Sequence, residues 1–134
     1  MEIVSLRESS GSPYIKELRE LLEQEWDKFA PFDGEECDIK PPPPILAIRN
    51  AELLGGLVFS LWPNPETEVM SIWINGLIVK PRYRRQGVAG SLISAAMQNQ
   101  TPLLVLTDIE RLYRRKAWLV VSSSAKGVVL QHGQ

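Results

Sequence analysis

The chain has 134 residues and a net charge of −1, with one cysteine and one histidine. This length suits a single globular domain over residues 1–134. Because Cys37 and His132 stand alone, a disulfide framework and a cysteine–histidine zinc centre are both excluded. A carboxylate-only metal site stays open, but no EF-hand spacing is present, and we expect no metal site. No apolar run is long enough to cross a membrane and the N-terminus lacks a secretory pattern, so we expect a cytoplasmic protein without membrane partners.

The charged side chains are unevenly distributed along the chain. Residues 1–79 contain 14 acidic and 6 basic side chains, whereas residues 80–134 contain 2 acidic and 9 basic ones. Two interpretations are open: two solvated faces of opposite sign, or an anion site in the second half and a cation-attracting surface in the first. The negative net charge and the lack of a base-stacking aromatic motif argue against nucleic-acid binding.

The first half of the chain predicts one helix and a series of strands. Ser12-Pro13 is typical of a helix N-terminus and precedes an amphipathic apolar pattern. Four consecutive prolines favour an extended surface loop after the helix, rich in acidic residues at 33–38. The predicted elements are a short strand at 3–6, a helix over 13–29, a loop over 30–44, a hairpin of strands 45–49 and 53–62, and strand-like segments 69–74 and 77–79.

The second half predicts alternating helices and strands. The elements are a helix over 87–100, a buried strand over 103–107, a short helix over 109–117 and two final strands at 118–121 and 127–130. Asp108 stands at the position of an N-cap for the short helix. The order β α β β β α β α β β is that of one mixed α/β domain.

Asn75-Gly76 separates two apolar runs and has two interpretations. Between strands, Asn-Gly is the strongest short signal for a hairpin turn. The competing interpretation is one long strand with a β-bulge, since a glycine inside a strand often marks one.

The segment VKPRYRRQGVAGSLI, residues 79–93, has the features of a phosphate-binding turn. A strand ends at Val79 and a helix begins near Gly87, and the first amides of a helix have no internal partners. Gly87 allows the backbone to approach a ligand closely. A Walker A loop is excluded because no lysine follows the glycines, and the dinucleotide fingerprint G-x-G-x-x-G is absent.

This segment resembles motif A of the GCN5-related N-acetyltransferase superfamily. Residues 77–81 match the L-x-V-x-P strand, and residues 84–89 match [QR]-x-x-G-x-[GA]. Residues 45–62 look like the β2–β3 hairpin of that superfamily, and residues 112–118 look like its C-terminal L-Y-x-x-x-G-F segment. The resemblance implies a central, mixed and mostly antiparallel sheet flanked by helices.

The resemblance also implies acetyl-CoA as cofactor, held in a V-shaped slot where the fourth strand splays from the fifth. A bulge at Asn75-Gly76 is then favoured over a hairpin. The implied cofactor-binding residues are Leu77, Ile78 and Val79 beside the pantetheine arm, and Arg84, Arg85, Gln86, Gly87, Val88, Ala89 and Gly90 around the pyrophosphate. The implied candidates for the 3′-phosphate are Arg82, Arg85, Arg114, Arg115 and Lys116.

By the same resemblance, an amine attacks the acetyl group directly in a ternary complex and Tyr113 is the general acid. Family members often carry a glutamate as base on the fourth strand, where this chain has Asn75-Gly76. Glu68 is the first substitute, ahead of Glu66, Glu35 and Glu36. Asp108 either replaces an asparagine of the family or caps the helix, and we favour the cap. Ala117 takes the place of the common glycine.

The acceptor is then a small-molecule amine, such as a polyamine, or a protein amino group. An acetyl-enzyme on Cys37 is not favoured, because the sequence offers no activating partner except His132. The alternative function is a CoA-sensing interaction protein that keeps the pocket without turnover, as the missing acid on the fourth strand suggests. The apolar residues of the last two strands would suit a homodimer.

Overall fold

The computed structural model of the protein describes residues 1–32, 39–99 and 102–133. Its strands are β1 (Glu2–Ser5), β2 (Ile45–Arg49), β3 (Glu52–Pro63), β4 (Met70–Val79), β5 (Leu103–Thr107), β6 (Leu119–Ser124) and β7 (Gly127–His132). Its α-helices are α1 (Pro13–Glu25), α2 (Val88–Asn99) and α3 (Glu110–Arg114), with 3₁₀ turns at Glu8–Ser10 and Pro81–Tyr83. Within these residues, no helix has the length and apolar character needed to cross a membrane.

The seven strands form one sheet in the order β1-β2-β3-β4-β5-β7-β6. Neighbouring strands are antiparallel except β4 and β5, which are parallel. The predicted order of elements and the mixed, mostly antiparallel sheet are therefore confirmed. A parallel pair needs a crossover connection, and here α2 connects β4 to β5.

Helices cover both faces of the sheet. Leu46 packs with α1, whereas its neighbours Ile45 and Ala47 belong to the cluster that contains α2. This split follows from the strand period of two, which sends successive side chains to opposite faces. Each face therefore has its own apolar core, with α1 on one side and α2 on the other.

Helix α1 ends at Glu25, whereas the sequence predicted a helix to residue 29. Trp26 is already extended, with φ −127° and ψ −173°. The Glu23 carboxylate accepts a hydrogen bond from the Phe29 amide at 3.0 Å, and Arg19 donates to the Phe29 carbonyl at 2.9 Å. Phe29 thus reaches the α1 core from a loop, which is why its spacing looked helical.

Strand β4 runs unbroken from Met70 to Val79 and contains a bulge. Val58 pairs with Gly76 and Phe59 pairs with Ile74, so Asn75 is the extra residue. The bulge interpretation is confirmed and the hairpin at Asn75-Gly76 is excluded. Two strand-like segments of the sequence are therefore one strand.

Helix α3 is shorter than predicted, and Asp108 does not cap it. Ile109 occupies the N-cap position, and its amide donates to Thr107 Oγ1 at 3.0 Å. The chain leaves the helix through Ala117, which has a left-handed φ of 68°. A left-handed backbone favours glycine, the residue that the resemblance implies at this position.

Candidate active site

The sheet opens between its two parallel strands. β4 and β5 pair only at Trp73 with Leu104 and at Ile74 with Val105. Beyond this point β4 continues to Val79 on the far side of the bulge, without a β5 partner. The predicted V-shaped slot is therefore present, and a bulge in the strand at its border accompanies it.

A cavity of about 880 Å³ occupies the slot and extends to the β3–β4 turn. We call it the central cavity. Its lining residues are Trp26, Ser60, Trp62, Pro63, Asn64, Pro65, Glu68, Trp73, Ile74, Asn75, Gly76, Leu77, Val105, Leu106, Thr107, Asp108, Ile109, Tyr113, Ser124, Lys126 and Val129. The cavity thus joins the splayed strands to the proposed acid Tyr113.

The structure brings together only part of the predicted site. Tyr113, Glu68 and Leu77 line the central cavity. Gly87 and Gly90 line a second cavity of about 490 Å³ against α2. The other predicted residues line neither cavity: Ile78, Val79 and Val88 are buried in the cores, Ala89 is partly buried, and Arg84, Arg85 and Gln86 are exposed.

The turn between β4 and α2 presents free backbone donors. None of the amides of residues 85–90 donates a hydrogen bond to any residue that the structure describes. Arg85 and Gly87 are both left-handed, with φ of 65° and 82°. The Arg84 guanidinium holds the turn against β4 by donating to the Val79 carbonyl at 3.0 Å.

This turn fits a diphosphate. A Cβ added to Gly87 would meet no protein atom within 4 Å, so the space above the turn is open to a ligand. Unpaired amides at a helix N-terminus, together with the helix macrodipole, bind anions. The exposed amides and the open space are the two features that a bound pyrophosphate requires.

The five basic side chains predicted near the 3′-phosphate are separated in the structure. Lys116 lies over the first turns of α2, where its Nζ donates to Ser94 Oγ at 2.7 Å. Arg114 and Arg115 line a different surface depression, and Arg114 pairs with Glu110 at 3.3 Å. Among the five, Lys116 is the cation that shares the second cavity with Gly87.

Tyr113 is held firmly and stays protonated. Its ring is 2% exposed, and it meets Trp118 edge to face with centroids 5.1 Å apart. Its hydroxyl forms no hydrogen bond with a residue in the described part of the chain. Burial raises the pKa of the Tyr113 phenol above its usual value, because the phenolate would lose its hydration.

Two carboxylates line the central cavity. Glu68 belongs to the β3–β4 turn and Asp108 follows β5. Neither makes an ion pair with a described residue. Glu66 is exposed outside the cavity lining, and the other candidates, Glu35 and Glu36, lie outside the described residues together with Cys37 and the rest of the acidic segment 33–38.

Asn64 was not recognised from the sequence, although it fixes the turn that carries Glu68. Its backbone exchanges hydrogen bonds of 2.8 Å with the Val69 carbonyl and the Glu68 amide. Its side chain accepts from the Glu66 amide at 2.8 Å and donates to Gln131 Oε1 at 3.3 Å. The Pro-Asn-Pro sequence was the available signal, since asparagine side chains commonly organise turns.

Three tryptophans of the cavity lining were also missed. Trp73 is buried, and its Nε1 donates to the Trp62 carbonyl at 2.9 Å. Trp26 and Trp62 are 49% and 66% exposed. Strand and helix periodicity assigned these residues to elements, but periodicity does not indicate which ends of those elements meet.

The comparisons with known proteins agree with this geometry. Residues 7–99 match the model of the acetyltransferase (GNAT) family. A search of curated proteins gave no match to this sequence. Among solved structures, the chain resembles the ribosomal-protein-alanine N-acetyltransferase from Brucella melitensis biovar Abortus 2308, with 21% identity, 92% of this chain and 93% of that chain covered, and a TM-score of 0.59.

Two plant structures also align over nearly the whole chain. Arabidopsis thaliana NAA60 in complex with acetyl-CoA is 13% identical, with 98% of this chain and 97% of that chain covered and a TM-score of 0.65. Arabidopsis thaliana Naa50 in complex with the bisubstrate analogue CoA-Ac-MVNAL is 12% identical, with 99% and 98% covered and a TM-score of 0.65. At these identities the likeness shows the fold. Together with the match over residues 7–99, it establishes that the chain belongs to the GNAT acetyltransferase family.

Proposed function

We propose that the protein transfers an acetyl group from acetyl-CoA to a primary amine by direct attack in a ternary complex. This proposal rests mainly on two features that adjoin along the chain, the free edge of β4 and the turn that follows it. The splayed edge of β4 leads directly into the turn whose amides, at residues 85–90, are unpaired among the described residues. A long ligand with a diphosphate at one end and a reactive group at the other suits this arrangement.

In this proposal the cofactor is held mainly by the backbone. The amides of residues 85–90 receive the pyrophosphate, and the free edge of β4 from Asn75 to Val79 pairs with the pantetheine arm as an additional strand would. Lys116 is the cation placed to contact a phosphate near α2. When bound, acetyl-CoA supplies the activated acetyl thioester. Amide hydrogen bonds to a charged oxygen contribute about 1.5–3 kcal/mol each, so a few of them suffice for binding.

Tyr113 is proposed as the general acid. Its side chain lines the central cavity, its hydroxyl has no protein partner among the described residues, and burial raises its pKa, which keeps the phenol protonated. Such a group is positioned to give its proton to the sulfur of the leaving thiolate. A thiolate left unprotonated in a poorly hydrated slot would be costly.

The amine must lose a proton, and two carboxylates are placed to accept it directly or through water. Glu68 is the residue predicted from the sequence. Asp108 is favoured by strand register: it lies three residues beyond Val105, which pairs with Ile74, and so is level with the free edge of β4. Glu68 precedes β4 and lines the cavity at its other end. Because the two carboxylates lie apart, each can be substituted without disturbing the other.

The proposal is tested by incubating the protein with acetyl-CoA and a panel of primary amines. Release of free thiol and the mass of the acetylated amine are measured together. We expect thiol release that depends on the amine and matches the acetylated product. Tight binding of acetyl-CoA without product from any amine would instead support the alternative CoA-sensing function, which Asn75 in place of an acid on β4 would explain.

The base is assigned by comparing Glu68→Gln with Asp108→Asn. The variant that removes the base lowers kcat by about 100-fold or more and abolishes the acidic limb of the pH profile. Removal of a carboxylate that only attracts the ammonium group raises KM and leaves the pH profile of kcat unchanged. If neither variant changes kcat, both assignments are wrong.

A further inference from the structure

We propose that the acceptor is an amine carried on an aromatic or bulky apolar body, and that Trp26 and Trp62 bind that body. This inference rests on the proposed function and names the class of its acceptor. It starts from the position of two large apolar rings, which line the central cavity but are 49% and 66% exposed. Tryptophan side chains are highly buried on average, so two exposed rings bordering one cavity require a reason.

The two rings stand on rigid supports. Trp62 lies near the end of β3, paired with Ser71 of β4, and its carbonyl accepts a hydrogen bond from Trp73 Nε1 at 2.9 Å. The turn after Trp62 is fixed by Asn64, which bonds across the sheet to Gln131. The Trp62 ring is therefore exposed although its backbone is firmly held.

Trp26 is supported by α1 and by the loop that follows it. Its amide donates to the Leu22 carbonyl at 2.9 Å, and its ring meets Phe29 edge to face with centroids 6.4 Å apart. Phe29 is in turn tied to α1 through Glu23 and Arg19. Two aromatic surfaces on different elements are thus held at the cavity before any ligand arrives, which lowers the entropy cost of binding.

The charges of the cavity suit one ammonium group. Its described lining contains two carboxylates, Glu68 and Asp108, and one cation, Lys126. An amine bearing an aromatic body would place its ammonium group toward the carboxylates and its body against the tryptophans. Aromatic groups bury about 150–250 Å² and also attract cations through their ring faces. A polyamine carries several charges along a thin chain, so it would bury little of the tryptophan surface, and the described lining has only two carboxylates to pair with those charges.

The test compares kcat/KM for 2-phenylethylamine, ethylamine and spermidine. We expect 2-phenylethylamine to exceed each of the others by about 10-fold or more, since burial of added apolar surface in a site discriminates by about that factor. Trp62→Ala and Trp26→Ala should each raise KM for 2-phenylethylamine about 10-fold, with kcat and the constants for ethylamine little changed. Leu119→Ala is the matched control, because Leu119 is 73% exposed and lies outside the central cavity.

Short peptides with free amino groups distinguish the source of the amine. A peptide that begins with leucine and one that begins with glycine share the amine but differ in the apolar body. If the peptide that begins with leucine has a higher kcat/KM than both the glycine peptide and 2-phenylethylamine, the source is a chain N-terminus. If 2-phenylethylamine has the highest kcat/KM, the source is a free amine.

The inference is overturned if ethylamine or spermidine reacts as well as 2-phenylethylamine, or if the tryptophan variants slow all amines equally. Absence of acetylation with every amine would instead refute the proposed function itself, so the two failures are distinguishable.

Discussion

The rings of Tyr113 and Trp118 meet edge to face, with centroids 5.1 Å apart and an interplanar angle of 69°. Trp118 is itself fixed, because its Nε1 donates to Met97 Sδ at 3.2 Å and its ring lies 5.7 Å from that of His132. The contact holds the Tyr113 ring in the core, and the same side chain lines the central cavity. A rotation of the ring would disturb the core, which keeps the hydroxyl in place.

The first prediction concerns the Tyr113 hydroxyl. Tyr113→Phe removes the proposed acid while keeping the ring contact with Trp118, so we expect kcat to fall by about 100-fold with KM nearly unchanged. Stability should change little, because the hydroxyl has no hydrogen-bond partner among the described residues. Steady-state kinetics and thermal melts check both parts.

Tyr14→Phe is the control for this variant, because Tyr14 packs beside the α1 core and does not line the central cavity. It should keep full activity. A Tyr113→Phe enzyme with unchanged kcat would remove Tyr113 from the mechanism.

The second prediction concerns stability at alkaline pH. Burial raises the pKa of Tyr113 in the folded state, whereas the unfolded chain ionises this phenol near pH 10.0. The unfolded state therefore loses its proton first, and the free energy of unfolding falls as the pH rises above 10. We expect Tyr113 to contribute up to about 1.4 kcal/mol of this loss per pH unit. In urea melts at pH 9, 10 and 11, the free energy of unfolding should fall less steeply with pH for Tyr113→Phe than for the wild type. Equal declines in the two proteins would contradict the burial of this phenol.

The third prediction concerns Arg19, which ties the segment after α1 to the helix. Its guanidinium binds Glu8 at 2.6 Å and Glu23 at 2.9 Å, and it lies 4.1 Å above the Phe32 ring. Arg19→Met should lower the free energy of unfolding by about 2 kcal/mol, because the bonds to the two carboxylates and to the carbonyls of Phe29 and Ala30 are lost together. Trp26 loses part of its support, so we also expect a higher KM for the amine with kcat retained.

Arg19→Lys tests whether the planar guanidinium group, with its several N–H donors, is required. Lysine keeps the charge but cannot hold several partners at once, so it should restore less than half of the lost stability. Full recovery with lysine would show that charge alone is sufficient. Denaturant melts and amine kinetics on the three proteins give the comparison.

The fourth prediction concerns Ala117, which has a φ of 68° before Trp118. Ala117→Gly relieves a left-handed conformation that costs about 1–2 kcal/mol, partly offset by the greater freedom of glycine in the unfolded chain. We expect a gain near 1 kcal/mol and a melting temperature higher by about 3 °C. Ala95→Gly, within α2, should be destabilising by a similar amount. A loss of stability in Ala117→Gly would contradict the strain.

Much of the fold was predictable because the strands follow simple patterns. The apolar alternation and the turn residues located every strand, and Val88, Leu92, Ile93 and Ala96 of α2 are all buried as their spacing predicted. The end of α1 was predicted wrongly, because Phe29 keeps a helical spacing while reaching the core from a loop held by Glu23. Periodicity records which side chains are buried and not the path of the backbone.

The geometry of the turn before α2 was predictable because it is local. The glycine at 87 and the strand before it indicated a turn with exposed amides, and the structure has a left-handed Gly87 with open space above it. Trp26, Trp62 and Asp108 come from three separate elements, and their meeting at one cavity depends on the splay of β4 from β5. The prediction that Asp108 caps α3 was wrong. The Ile109 amide donates to Thr107 Oγ1, and Ile109 occupies the N-cap position.

Calorimetric titration of acetyl-CoA into the wild-type protein, Gly87→Ala and Gly11→Ala tests whether the turn before α2 binds the cofactor. Gly87 and Gly11 have similar φ, 82° and 71°, and at both positions an added Cβ meets no protein atom within 4 Å. The backbone cost of alanine is therefore matched, at about 1–2 kcal/mol. If the turn binds the pyrophosphate, Gly87→Ala weakens acetyl-CoA binding by about 10-fold or more, whereas Gly11→Ala binds like the wild type. Equal affinity in all three folded proteins, or no binding by the wild type, would show that this turn does not bind the pyrophosphate.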